Sequence, residues 1–432
     1  MTRWLTILIV LGAFAFPPTA AALGLSMEGA VQAALMGNPT LIAARFEAAK
    51  AHGRLLQAGL MPNPEFEFSG MSDVAFGAEG ENSFTVGIAQ QFPLTARLSL
   101  ARQVRRVEVA QALREIRNGE RLLVARVQGL YVKVQAARLR QKVAAEARES
   151  SMNQIALMEK RVAAGQGSLA ETALLRVDER RWWNAARSAK TDAEVTMLEL
   201  KTAVGLPADQ PLELTQSLDA VVTTFQQKSP TSSPLHRPDV ELALLEIDRA
   251  GAEVRLARAE AWEGITIGAQ YTYDHAVDEP AGLNTGQFLG IRVSLPLPVW
   301  DDRRGAVTEN KALRDQAVAK VRALELEIGN SIATATRRVE LFQQQFNDYR
   351  SGTEGILRQN EKELSAAYEQ GRVDLSDLLQ LRAQSATLRV ESVTLRENVA
   401  LALIDLQATT GNHPAISLPY TQAKSSLSKK KP

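Results

Sequence analysis

The chain has 432 residues, 50 basic and 49 acidic side chains and a formal net charge of +1. Both signs are interspersed, which excludes a surface built for nucleic acid or for an acidic partner. There is no cysteine, so disulfides are excluded, and no lipid anchor on an N-terminal cysteine is expected. Aromatics are few beside Ala, Leu, Arg, Glu and Gln, the composition of long packed helices.

At the start, Arg3 supplies a basic residue, an apolar run of about 12 residues follows from Leu5 to Phe16, and Ala20-Ala21-Ala22 offers small residues for cleavage. A membrane-crossing helix needs about 20 residues. Segment 1–22 therefore reads as a removable signal peptide, and the mature chain is expected outside the cytoplasm.

The rest says the same thing twice. Gly165 and Gly371, like Gly205 and Gly411, are separated by about 206 residues, far above the 20 to 50 residues of a solenoid module. Pro39 matches Pro238, and Pro93 matches Pro296. The first repeat, 23–226, is expected to hold strands at 64–72 and 83–93 and long helices at 97–164 and 168–204. The second, 227–415, holds strands at 264–274 and 287–296 and long helices at 304–370 and 374–409. A polar tail, 416–432, closes the chain, and its Lys429–Lys431 run reads as solvated.

Four segments alternate apolar and polar residues. Ile265, Ile267, Ala269, Tyr271 and Tyr273 interleave with Thr266, Gly268, Gln270, Thr272 and Asp274, and Leu289, Ile291, Val293 and Leu295 with Gly290, Arg292 and Ser294. Phe66 and Phe68, then Phe84, Val86 and Ile88, are the weaker counterparts. A membrane β-strand takes about 9 to 11 residues with alternate side chains facing lipid and lumen. Soluble amphipathic hairpins would show the same pattern. An exported chain with polar, Gly-rich loops at 73–82 and 274–286 favours the membrane. Four strands cannot close a barrel, since the smallest membrane barrels have about 8, and open edges in lipid leave unpaired backbone groups. The chain must then oligomerise.

From 97 to 164 there is no proline, and the only glycines are Gly119 and Gly129. A helix of that length is on the order of 100 Å long at about 1.5 Å per residue. Val109, Leu113, Ile116, Leu123, Val127, Leu130, Val134 and Ala137 form a coiled-coil-like seam. Such helices must pack on the returning helices and on other subunits.

Bilayer-length strand pairs running through Pro93-Leu94 and Pro296-Leu297 into these helices resemble the TolC-type outer membrane factor family over nearly the whole mature chain. Local support comes from the Asn38-Pro39 and Arg237-Pro238 helix starts and the two Gly-containing tips. The stretch from Leu295 through Pro296, Leu297, Pro298, Val299, Trp300, Asp301, Asp302 and Arg303 to Arg304 and Gly305 resembles the heavy-metal efflux, CzcC-like branch. The resemblance implies a mixed α/β membrane protein. It would be an elongated homotrimer whose 12-stranded outer-membrane β-barrel, four strands per chain, continues into a periplasmic α-helical coiled-coil barrel. It also implies an exit channel of a tripartite efflux system, seated in outer-membrane lipid and docked to a periplasmic adaptor (membrane fusion) protein and an inner-membrane RND-type pump, with heavy-metal cations as cargo.

The tips carry the site residues. Gly165-Gln166-Gly167-Ser168-Leu169-Ala170-Glu171 and Gly371-Arg372-Val373-Asp374-Leu375-Ser376-Asp377 share Gly, three residues, Leu, one residue, acid. Glycine suits the end of a helix, and Ser168 or Asp374 can cap the next one. A capped hairpin alone would need these residues. The resemblance adds that Gly165, Gly167, Ser168, Gly371, Val373 and Asp374 meet the adaptor. It also places a gate at the periplasmic entrance: Tyr368 bonded to Glu171, Asp377 in a carboxylate ring, and Arg372 nearby. Gln380 stands where some members carry a second pore aspartate, and Arg372 is one place from the usual gating arginine.

No catalytic, cofactor or metal site is expected. His52, His236, His275 and His413 are scattered, and a cell-envelope hydrolase would need a nucleophile or metal constellation. Met152 and Met158 read as packing, and Trp182-Trp183 as core or interface. The competing class is a periplasmic coiled-coil adaptor or structural envelope protein without a pore, which should lack four bilayer-length strands.

Overall fold

The computed structural model describes residues 23–73, 81–227, 237–278, 282–370 and 372–411. The expected signal peptide, the polar tail and Gly371 lie outside the described residues. In chain order the elements are β1 (Leu23–Leu25), α1 (Met27–Gly37), α2 (Pro39–Gln57), β2 (Glu65–Ser72), β3 (Asn82–Phe92), α3 (Arg97–Ala163), α4 (Leu169–Val204), β4 (Leu212–Leu214), α5 (Leu218–Gln227), α6 (Pro238–Ala259), β5 (Ile265–Asp278), β6 (Gly282–Ser294), α7 (Arg304–Glu369) and α8 (Leu375–Thr410). The run α2-β2-β3-α3-α4 thus recurs as α6-β5-β6-α7-α8, an internal duplication with two strands and two long helices in each copy. Among the described residues no helix is long and apolar enough to cross a membrane.

Two compact units form, one from Met1–Ile42, Glu120–Ser232 and Ser331–Pro432, the other from Ala43–Gly119 and Ser233–Asn330. The second holds a four-stranded antiparallel sheet in the order β2-β3-β5-β6. Register sorts its side chains by chemistry. Phe66, Ile88, Ala269 and Ile291 lie in one cross-strand row, and Phe68, Val86, Tyr271 and Leu289 in the next on the same face. The opposite face carries Glu67, Gly87, Gln270 and Gly290, then Ser69, Thr85 and Thr272, whose two threonine hydroxyls lie 2.9 Å apart. The apolar face is not covered: Phe66 is 74%, Leu289 85% and Ile291 82% exposed. Phe288, opposite Thr272, and Met71, opposite Ser83, are exposed large apolar exceptions on the polar face.

The second hairpin runs further than expected. Positions 274–286 have the sequence of a polar loop, but His275 pairs with Thr285, Ala276 with Asn284 and Val277 with Leu283. Ladder hydrogen bonds between two already paired strands continue where side-chain patterning has stopped, because they involve only backbone.

The first unit holds a smaller parallel pair, β1 on β4. It is tied by Tyr131, which is fully buried. Its hydroxyl contacts the Leu25 and Gln216 carbonyls at 3.2 and 3.3 Å and accepts from the Gln216 N–H at 3.0 Å. Asn38 caps α2 by accepting from the Leu41 N–H at 3.0 Å, and its amide donates to the Ala203 carbonyl at 2.8 Å. That second bond secures α2's start to the end of α4. The α3 seam is buried here at Val127, Leu130, Val134 and Ala137. In the other unit Leu113, from the same seam, is exposed.

Candidate functional site

Both helical tips belong to the first unit. At the first, α3 closes with a paired turn: the Gln166 N–H donates to the Arg161 carbonyl at 2.8 Å and the Gly165 N–H to the Val162 carbonyl at 3.0 Å. This is a Schellman arrangement, which needs a left-handed residue just past the helix, and Gly165 has φ +73°. A Cβ on Gly167 would stand 2.7 Å from the Val162 backbone nitrogen, so only glycine lets the chain turn so tightly. Ser168 then caps α4, its hydroxyl oxygen accepting from the Ala170 N–H at 3.2 Å.

The second tip repeats the first of these bonds at corresponding positions, with the Arg372 N–H donating to the Ala367 carbonyl at 2.9 Å. It departs at the cap. Asp374 occupies the cap position of α8 but makes no side-chain cap bond, against the sequence expectation. Its side chain is exposed, and a carboxylate in water and open helical N–H groups can both be satisfied by solvent.

Beneath the tips the helices share an apolar plug. Met158, Leu175 and Leu378 are buried from α3, α4 and α8, with Ile155, Val162, Leu364, Tyr368 and Leu379 packed around them. Met158 is packing, as its sequence context implied. A second layer joins Ala144, Trp182 and Ala386. Trp182 is therefore core, while the Trp183 ring sits between the Arg180 and Arg187 guanidinium groups at 5.2 and 5.3 Å. Polar rungs brace the hairpin: Arg148 to Glu179 at 2.6 Å, Ser151 to Asp178 at 2.7 Å and Arg176 to Glu159 at 2.9 Å. Tyr349 ties α7 to α8 through the Leu388 carbonyl at 2.8 Å.

The residues expected to gate are gathered at this end. Glu171 and Asp377 stand in the first turns of α4 and α8, and Arg372 and Val373 lie between α7 and α8. Tyr368 packs against the plug, whose member Leu175 lies one turn beyond Glu171 on α4. No hydrogen bond joins the Tyr368 hydroxyl to Glu171 among the described residues; within one chain the ring is held by apolar packing instead. The plug and the rungs escaped sequence reasoning, because the relative register of antiparallel helices leaves no local signal.

Two repeats, each joining a strand hairpin with one apolar face to a long helical hairpin with a glycine-closed tip, define the efflux-channel class of outer-membrane fold. The chain belongs to the outer membrane efflux protein family, whose model matches residues 30–206 and 231–412. It is 24% identical over 329 residues to the cobalt-zinc-cadmium resistance protein CzcC of Cupriavidus metallidurans, spanning 75% of each chain. Its fold is similar to the Campylobacter jejuni CmeC outer membrane channel, with a TM-score of 0.74, 16% identity and coverage of 93% of this chain and 89% of that one. CusC, another membrane channel, gives 0.73 at 16% identity over 91% and 94%. The protein is accordingly an outer-membrane efflux protein and not an enzyme.

Proposed function

We propose that three copies of this chain close a 12-stranded barrel in the outer membrane and form the exit duct of a tripartite efflux system. The observation that carries this reading is the β2-β3-β5-β6 sheet, which presents an exposed apolar face, a polar opposite face and two edges, at β2 and β6, that pair with no further strand among the described residues. A sheet with free edges is tolerated in lipid only when they are paired, and pairing β6 of one copy with β2 of the next satisfies both. The exposed seam residues of α3, such as Leu113, supply apolar surface for the neighbouring copy.

In this reading the mature chain begins after a signal peptide ending near residue 22, and the strands sit in outer-membrane lipid. The tips reach a periplasmic adaptor fed by an RND-type pump. Gly165, Gly167, Ser168, Gly371, Val373 and Asp374 form the adaptor contact. Tyr368, Glu171, Asp377 and Arg372 form the periplasmic gate. The likeness to a cobalt-zinc-cadmium resistance protein supports divalent metal cations as cargo. Native mass measurement of the detergent-solubilised protein, followed by recording in a planar bilayer, tests the reading. Trimers that conduct are expected. A stable, non-conducting monomer in a soluble fraction would overturn it.

A further inference from the structure

The polar face of the sheet carries one charged pair that joins its two edges. The Arg292 guanidinium, on edge strand β6, donates to the Glu67 carboxylate on the opposite edge strand β2 at 2.7 Å, and to the Gln270 carbonyl oxygen on β5, also at 2.7 Å. Adjacent strands lie about 4.8 Å apart, so this pair reaches across three strand spacings. The positions it must pass over are small. Arg292 lies in one cross-strand row with Gly268, Ala89 and, at the far edge, Glu65, and Glu67 lies in the next with Gly87, Gln270 and Gly290. Gln270 is the one long side chain on the path, and it is itself a partner.

We propose that Arg292, neutralised by Glu67 and positioned by Gln270, is a charge-selectivity element of the barrel lumen. The inference rests on the channel reading, in which the polar face lines the pore and assembly sets three such pairs at one level. Rings of like charge in a pore select permeant ions, and a bare arginine ring would oppose cations. Glu67 cancels that charge without removing the guanidinium, and the exposed Glu65 carboxylate, at the β2 end of the Arg292 row, leaves the level with one net negative charge per copy. Both side chains are about half exposed, and exposed pairs contribute little to stability. The sheet therefore does not depend on the bridge, and either side chain can be removed to read its electrostatic effect.

The test is reversal potential in planar bilayers under a potassium chloride gradient. Glu67→Gln should lower the cation-to-anion permeability ratio by about two-fold or more, Arg292→Gln should raise it by a similar factor, and the double variant should return close to the unsubstituted value. Each single-variant shift should be present near 0.1 M salt and largely lost near 1 M, where the Debye length falls from about 10 to about 3 Å. A merely structural strap would show no such salt dependence. Should Arg292→Gln fail to assemble, Glu67→Gln still reads the loss of the carboxylate bonded to the guanidinium. An unsubstituted protein that never conducts would remove the channel reading and this proposal together. Conducting variants with unshifted reversal potentials would overturn the proposal alone.

Discussion

Phe84 stacks on Tyr273 with ring centroids 4.9 Å apart and planes 22° from parallel. One ring belongs to the first repeat and the other to the second, so this contact lies on the seam where β3 and β5 join the two hairpins into one sheet. Stacked pairs contribute about 0.5 to 1.5 kcal/mol beyond simple burial. Both rings lie on the apolar face, the same face as Phe66 and Ile88, in the cross-strand row that begins at Gly70.

That face yields the first prediction. Ile267, Tyr271, Ile291 and Val293 share it, and Arg at any of them near the bilayer midplane should cost about 2 to 4 kcal/mol. Thr272→Arg, on the other face, should be mild. Urea unfolding of lipid-reconstituted protein would measure the difference, and equal costs on both faces would contradict the bilayer assignment.

The tips give the second. Gly165 is left-handed and a Cβ there meets nothing within 4 Å, whereas a Cβ on Gly167 collides with Val162. Gly165→Ala should thus cost about 1 kcal/mol of local conformational strain and leave assembly intact. Bulky residues at Gly165 or Gly371 should preserve membrane trimers while abolishing export, if the adaptor approaches the backbone there. Loss of trimers would instead assign these glycines to folding alone.

How much of this was legible depended on whether a residue's partner is local. Ile267 and Tyr271 announce their strand because a sheet with one apolar face enforces a period of two, and Gly165 and Ser168 announce a helix end and a helix start. The β1–β4 pair was not legible: Leu23–Leu25 and Leu212–Leu214 are three residues each, too short for any period. The Tyr131 hydroxyl that ties them to the bundle has partners 85 and 106 residues away. Arg292 and Glu67 were visible only as polar members of two alternating strands. Their pairing needs the strand order, which β2-β3-β5-β6 supplies and neither strand encodes alone.

The third prediction concerns acid stability. Burial pushes the Glu246 carboxyl up, but hydrogen bonds from Arg249 and Gln111 and the charges of Arg249 and Lys320 outweigh it, holding its pKa below the ordinary 4.5. A depressed carboxylate stabilises the fold above its unfolded pKa, and that contribution is lost as pH falls through the folded one. Glu253 has the opposite sign: burial, with Glu246 and Glu108 nearby, raises it against the pull of Arg249. Its ionisation therefore destabilises the fold as pH rises through the raised value. Glu246→Gln should lower the melting temperature at neutral pH and flatten its decline below about pH 4.5, whereas Glu253→Gln should raise it. Thermal melts at both pH values check the two signs, and identical responses would show that neither group is coupled to folding.

The last prediction concerns the gate. Tyr368 is packed into the Met158–Leu175–Leu378 plug, with Glu171 one turn before Leu175 on α4. Closing the entrance as proposed brings its hydroxyl onto that carboxylate. A bond of that kind is worth about 1.5 to 3 kcal/mol because one partner is ionised, and three copies would hold the entrance shut. Tyr368→Phe with Glu171→Gln should then raise single-channel conductance while leaving the trimer stable, since the ring keeps its apolar contacts. Asp377, in the first turn of α8, should act separately: Asp377→Asn should weaken cation preference and block by multivalent cations without changing the closed-state conductance. Unchanged conductance in the first variant together with unchanged selectivity in the second would remove all three residues from the gate and leave Tyr368 as a member of the apolar plug.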